Sequence, residues 1–247
     1  MFMKIKTINL TKVMSKGFTL QLHDMEIRGP GMVGYLGTNG AGKTTTMKLF
    51  VNLIHPTSGS VFINGINVHE NPVRALKNIS ALISDPEPYK YYSIKEFLYI
   101  VGSIKELDKS DIREYMDVFS KRFHLDNMDI RIGKLSKGNK RKVMILAALM
   151  GNPEIILLDE PSDGLDPIES RELRNILNEI KKTSLIFMSS HLMYEVSETC
   201  DRIIIINNGR VIANNETAKI INMMGGNRIG PEELENAFFK YAGGGLK

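Results

Sequence analysis

The chain has 247 residues, 43% of them hydrophobic, enough for one large domain or two small ones around a real core. Charged residues make up 24%, an ordinary share that argues against disorder, and the net charge of +4 is far too small to argue for nucleic acid by itself. A single cysteine, Cys200, excludes an intramolecular disulfide framework and fits a reducing compartment. Met1 to Lys12 alternates charged and apolar residues without the apolar stretch of a signal peptide. The longest clean apolar run, Val143 to Met150, falls well short of the roughly 20 residues of a spanning helix, so the chain reads as soluble by itself.

In chain order, Phe18 to Met25 alternates apolar and polar residues with the period of a half-buried antiparallel strand. Met32 to Gly37 is a solid apolar strand that runs into a glycine-rich loop and a helix predicted over Lys43–Leu53. Asn64-Gly65 signals a hairpin, and Asn78 to Ser84 reads as a short buried strand. From about Ser93 to Met150 the texture becomes helical, with Ser93 and Ser110 as capping-type residues. Apolar strands then alternate with an amphipathic helix. Ile155 to Asp159 is followed by Leu173, Ile176, Leu177 and Ile180 at helical spacing, then by Ser184 to Ser190 and Asp201 to Gly209. A turn at Asn207 to Gly209 leads to a last strand, two short helices and a glycine-rich end, Gly243 to Lys247. The fold class expected is α/β with a mostly parallel sheet, an N-terminal antiparallel β subdomain and an inserted α-helical subdomain.

The loop "GTNGAGKT" fits G-x-x-x-x-G-K-[ST] in the strand-loop-helix context that the motif requires. Its glycines let backbone N–H groups wrap phosphate oxygens, and the helix N-terminus adds partial positive charge. Lys43 is placed to reach β- and γ-phosphates, and Thr44 to offer a hydroxyl to Mg²⁺. The bland alternative is a turn into a helix that binds nothing. Asp159 and Glu160 leave the strand at its C-terminal edge, where ligands sit in open α/β sheets. One carboxylate there suits Mg²⁺ and the next suits accepting a proton from water, although surface acidic pairs at strand ends are common. His191 ends the next strand at the same edge and reads either as a packed or surface histidine or as a group that senses the γ-phosphate. "LSKGNKRK" places Lys137, Lys140, Arg141 and Lys142 together, as a nucleic-acid patch, a solvated helix face or half of a phosphate site. No aromatic residues interleave with the basic ones for base stacking, so nucleic acid is disfavoured.

In this order the motifs resemble the nucleotide-binding subunits of ABC (ATP-binding cassette) transporters, across nearly the whole chain. The resemblance makes Gly37, Thr38, Asn39, Gly40, Ala41, Gly42, Lys43, Thr44 and Thr45 the phosphate loop, and "ILLDEPSDGLDP" the Walker B segment with Asp166 as its D-loop carboxylate. "SSH" matches the switch histidine, and "LSKGNKRK" stands where the family signature stands. That signature caps the γ-phosphate held by a second cassette, so Ser136 and Gly138 are expected to act across a dimer. The helix Lys137–Met150 carries an apolar stripe of Val143, Leu146, Ala147 and Met150, so the basic residues fall in its first turns, where positive charge opposes the helix dipole and points to an anionic partner.

Three departures stand out. Lys137 and Asn139 replace the usual glycine and glutamine of the signature. The glutamine loop lacks its glutamine, with Ser84 at that position and Asp85 the nearest carboxylate for the metal. Met14 takes the place of the adenine-stacking aromatic, with Phe18 nearest to it.

The implied protein is a single ABC ATPase domain. Residues 1–83 and 151–224 form its core, 84–150 its helical subdomain, and 225–247 a short helix and tail. It is implied to bind ATP and Mg²⁺ at the cytoplasmic face of the membrane, pairing with a second cassette, homo- or heterodimeric, and driving a separate transmembrane permease. The absence of an added C-terminal domain is more like exporter-type subunits. The alternatives are a soluble ABC ATPase acting on ribosome or DNA and a slow regulatory cassette.

Overall fold

The computed structural model describes residues 3–14, 17–84, 87–223 and 230–242. The chain begins with β1 (Lys4–Val13), β2 (Thr19–Leu22), β3 (Met25–Arg28) and β4 (Gly31–Leu36), then α1 (Lys43–Phe50). Next come β5 (Ser58–Ile63), β6 (Ile66–Asn67), α2 (Pro72–Ala75) and β7 (Ile79–Leu82). Three helices, α3 (Ile94–Ile104), α4 (Lys109–Arg122) and α5 (Lys137–Leu149), are inserted before β8 (Ile155–Asp159). The remainder is α6 (Pro167–Ile180), β9 (Leu185–Ser190), α7 (Met193–Thr199), β10 (Arg202–Asn207), β11 (Arg210–Glu216), α8 (Thr217–Met223) and α9 (Pro231–Ala242).

The strands join one sheet in the order β6-β5-β1-β2-β11-β10-β4-β9-β8-β7, with β3 also on β1. From β10 to β7 every pairing is parallel, while β1 pairs antiparallel with β2, β3 and β5. The parallel half explains the solid apolar runs. On β8, Ile156 and Leu158 enter the core on the side of the helical insertion, whereas Ile155 and Leu157 enter the core against α1 and β1. β9 and β10 alternate in the same way, so each strand needs apolar residues at every position. Among the described residues no helix is long and apolar enough to cross a membrane.

Three local expectations are corrected. Phe18 to Met25 is not one strand. It breaks at His23-Asp24, where Thr7 Oγ1 donates to the His23 carbonyl and Asp24 Oδ1 accepts the Asn9 N–H, so β2 and β3 pair separately with β1. Helix α1 ends at Phe50 rather than Leu53, because Asn52 adopts a left-handed conformation (φ 58°), which an asparagine tolerates better than most residues. Ser110 lies inside α4, and the extended Asp108 holds its N-cap position. Ser93 does cap α3, in a capping box with Glu96, and Asn64-Gly65 turns the β5–β6 hairpin with both residues at positive φ.

Candidate functional site

The loop after β4 curls so tightly that Gly42, just before α1, has φ 111° and a Cβ at Gly37 would stand 2.7 Å from the Ile206 carbonyl. Side chains at either position would strain or open the loop. Its own bonds tie it down: the Ala41 N–H donates to Thr38 O at 3.1 Å, and the Gly209 N–H donates to Ala41 O at 3.0 Å. A cavity of about 390 Å³ opens over the loop, lined by Met14, Phe18, Thr38, Asn39, Gly40, Gly42, Lys43, Thr44, Thr45 and Glu160. The buried Lys43 lies back along the loop, its Nζ donating to Gly37 O at 2.7 Å and standing 3.2 Å from Glu160 Oε1.

Parallel pairing brings the ends of β4, β8 and β9 to one edge, with Asp159 level with Ser189. Asp159 is buried. Its Oδ2 accepts the Thr44 hydroxyl at 2.7 Å and the Ser84 N–H at 3.2 Å, and its Oδ1 accepts the Ser189 hydroxyl at 2.6 Å. Glu160 follows in the left-handed region (φ 47°), its N–H donating to Ser189 O at 3.2 Å and Ser189 Oγ at 3.0 Å. That conformation turns its carboxylate toward Lys43 on one side and His191 on the other, where Nδ1 stands 2.7 Å from Oε2 and the His191 N–H donates to the same oxygen at 3.2 Å. Phosphate loop, carboxylate pair and histidine therefore form one connected network.

Other expected residues stand apart from it. Ser136 caps α5, its Oγ accepting the Asn139 N–H at 3.2 Å, and a Cβ on Gly138 would stand 2.9 Å from Gly164 O. Asp166 caps α6 through a capping box with Glu169. None of these three lines the cavity. Asp85 lies outside the described residues, as does Gly243 to Lys247. At Ser84 it is the backbone N–H, not the side chain, that meets Asp159.

The basic run needs correction. Arg141 and Lys142 are buried and do not present their charge outward. Lys142 Nζ pairs with Glu169 and donates to Phe123 O, and Arg141 donates to carbonyls at the end of β8. Charge counting along the helix missed this, yet Arg141 sits i−4 and i−7 from the buried Ile145 and Ala148, a face that points inward. Ser189 was also missed as a site residue, whereas Phe18, the aromatic named nearest to Met14, lines the cavity beside it. Laying the two apolar strands side by side puts Ser189 opposite Asp159.

With these groups on the carboxyl edge of a parallel sheet, the protein falls in the class of phosphate-loop nucleotide hydrolases. The sequence profile of the family described as ABC transporter matches residues 20–163. The ABC transporter ATP-binding protein NatA of Bacillus subtilis strain 168 is 37% identical over 184 residues, 73% of this chain and 75% of that one. The bacitracin transport ATP-binding protein BcrA of Bacillus licheniformis is 33% identical over 211 residues, 84% of this chain and 68% of that one. A solved ATP-binding subunit of an ABC transporter superposes with a TM-score of 0.85 at 28% identity, covering 96% of this chain and 99% of that one. The chain belongs to the ABC transporter family as an ATP-binding subunit, and it is an ATPase.

Proposed function

We propose that two such cassettes, identical or related, close head to tail around two ATP molecules and so drive a separate transmembrane permease from the cytoplasmic face of the membrane. The observation that carries this reading is the bonded chain from Thr44 through Asp159 and Ser189 to Glu160, Lys43 and His191. The core (1–83 and 151–224) binds the nucleotide, and the helical unit (84–150) presents Ser136 and Gly138 to the partner's nucleotide. The exposed N-terminus of α5, capped by Ser136 and outside its own chain's cavity, supports this assignment. Asp166, near the same surface, belongs to that interface.

Within one site, the N–H groups of Thr38 to Thr45 wrap the phosphates and Lys43 leaves the Gly37 carbonyl for the β- and γ-phosphate oxygens. Met14 and Phe18, at the cavity wall, pack on the base. The hard oxygens of Thr44 and Asp159, 2.7 Å apart, fit Mg²⁺, which when bound neutralises developing phosphate charge. Glu160 accepts the proton of the attacking water, and His191 holds that carboxylate in place and meets the γ-phosphate. Exposed Tyr89, Tyr91 and Tyr92 and the open apolar groove along α3 face the permease. The likeness to a bacitracin transport ATP-binding protein supports a transport role, and we read the permease as exporter-type.

Steady-state ATP hydrolysis measured against protein concentration, beside Glu160→Gln and with light scattering for mass, tests the reading. The wild-type rate is expected to rise faster than linearly. The variant is expected to lose about 100- to 10,000-fold in kcat and to form a dimer only with ATP. A strictly linear wild-type rate with a variant that stays monomeric in ATP would overturn the head-to-tail dimer.

A further inference from the structure

The loop after β7 lacks a glutamine, and what links the helical insertion to the carboxylate edge is another side chain. Arg141, on α5, is 6% exposed and, among the described residues, donates four hydrogen bonds to backbone carbonyls. Nη2 reaches Asp159 O at 2.7 Å and Glu160 O at 2.6 Å, Nε reaches Pro161 O at 3.3 Å, and Nη1 reaches Ser84 O at 3.2 Å. Two of the four acceptors belong to non-glycine residues held at positive φ, Ser84 at 63° and Glu160 at 47°. Residues persist in that region only where their surroundings over-determine them. The peptide N–H of Glu160 is fixed by Ser189 of β9, and its carbonyl by Arg141 of α5. The core therefore grips Glu160 from one side and the helical insertion from the other.

We propose that Arg141 is the positioning residue that aims the Glu160 carboxylate, so that the helix carrying Ser136 at its N-terminus sets the register of the proton-accepting group. A planar fork suits this task, because it bonds several carbonyls at fixed angles where an ammonium on a flexible stem does not. Ser136 and Arg141 lie on one rigid helix, so a shift of its capped end moves the fork, and with it the peptide groups on both sides of Glu160. The same fork holds Ser84, whose N–H meets Asp159, so the two carboxylates shift together. This rests on the reading of Glu160 as the group that accepts the proton from water.

The test uses the full chain with Arg141→Lys, which keeps the charge, and Arg141→Met, which keeps only the apolar stem. Lys142→Met serves as a comparator, since it disturbs the same helix through Glu169 and Phe123 without touching residues 159–161. Both Arg141 variants should bind a fluorescent ATP analogue with the wild-type Kd while kcat falls about 100-fold, the cost of a misplacement of about 1 Å. Adding Glu160→Gln to Arg141→Lys should cost less than the two separate losses combined, as for groups acting as a unit. Native-state amide exchange should accelerate at Ser84 and 159–163 in the Arg141 variants but not in Lys142→Met, and should stay unchanged over 37–50.

Unchanged kcat with unchanged exchange at 159–163 would overturn the proposal. So would losses of Kd and kcat that track melting temperature equally in all three variants, since that is a merely structural role. Should Glu160→Gln hydrolyse ATP as fast as wild type, the reading of Glu160 fails instead. The exchange data then still decide whether Arg141 holds the segment.

Discussion

Glu160 shows how a single residue is set by its neighbours rather than by its own preference. A left-handed conformation costs a non-glycine residue about 1–2 kcal/mol, and bonds from Ser189 and Arg141 hold it there. The carboxylate pair was legible as a pair because it ends an apolar strand. Its conformation was not, because the groups that impose it lie 19 residues earlier and 29 residues later in the chain. Cys200 is the opposite case, set chiefly by burial. It is packed under β4, where a Cβ on Gly34 would meet its Sγ at 3.0 Å, and burial pushes its thiol up to about 12. Since the thiolate is the reactive form, Cys200 should resist a disulfide-exchange reagent at about pH 8 in the native protein and react fully in denaturant. Prompt labelling of the native chain would show that this packing opens readily.

At the scale of elements, the three inserted helices are anchored by specific polar contacts as much as by apolar faces. Lys105, just past α3, donates from Nζ to Ala147 O at 3.2 Å and Met150 O at 2.6 Å, closing the C-terminal end of α5, and to Ser80 Oγ of β7 at 2.7 Å. It thus staples the insertion to the core, and positive charge at a helix C-terminus opposes the dipole's negative end. Burial pulls its pKa down to about 8 from 10.5. Between those values the unfolded chain binds a proton that the fold has given up, so this group's contribution to stability rises with pH across that window. Relative to Lys105→Met, the wild type should gain on the order of 1–2 kcal/mol between about pH 7.5 and about pH 9.5, read from urea melts. A difference that does not change with pH would mean that Lys105 keeps its ordinary affinity for protons in the fold. The Ser93 cap of α3 was visible in sequence because its partner Glu96 is a near neighbour; Lys105 was not, because its partners lie 25 to 45 residues away.

Over the whole molecule, one sheet gathers the phosphate loop and both carboxylates at its carboxyl edge, while Ser136, Gly138 and Asp166 line no part of that cavity. On the proposed head-to-tail reading these are two half-sites of one chain, each completed by a second. Lys43→Ala removes the half proposed to grip phosphate, and Ser136→Glu sets a negative charge where the partner's γ-phosphate is proposed to sit. Each variant alone should be nearly inactive. An equal mixture should regain ATP hydrolysis, because one site of a mixed dimer carries both intact halves. A mixture no faster than its separate components would count against sharing of sites between chains.

What the sequence determined by itself is the local chemistry. A glycine loop before a helix, a carboxylate pair ending an apolar strand and a serine-capped helix each need only a short run of residues, and each is recognisable wherever it occurs. Alternation between two cores also follows directly, since strands covered on both faces must be apolar throughout. Tertiary structure decided which of these groups meet. It placed Ser189 against Asp159, turned Arg141 and Lys142 inward, and left the capped end of α5 away from its own chain's loop. The physical reason is range: hydrogen bonds act over about 3 Å, and only the pairing of distant strands and the packing of inserted helices bring such partners within reach.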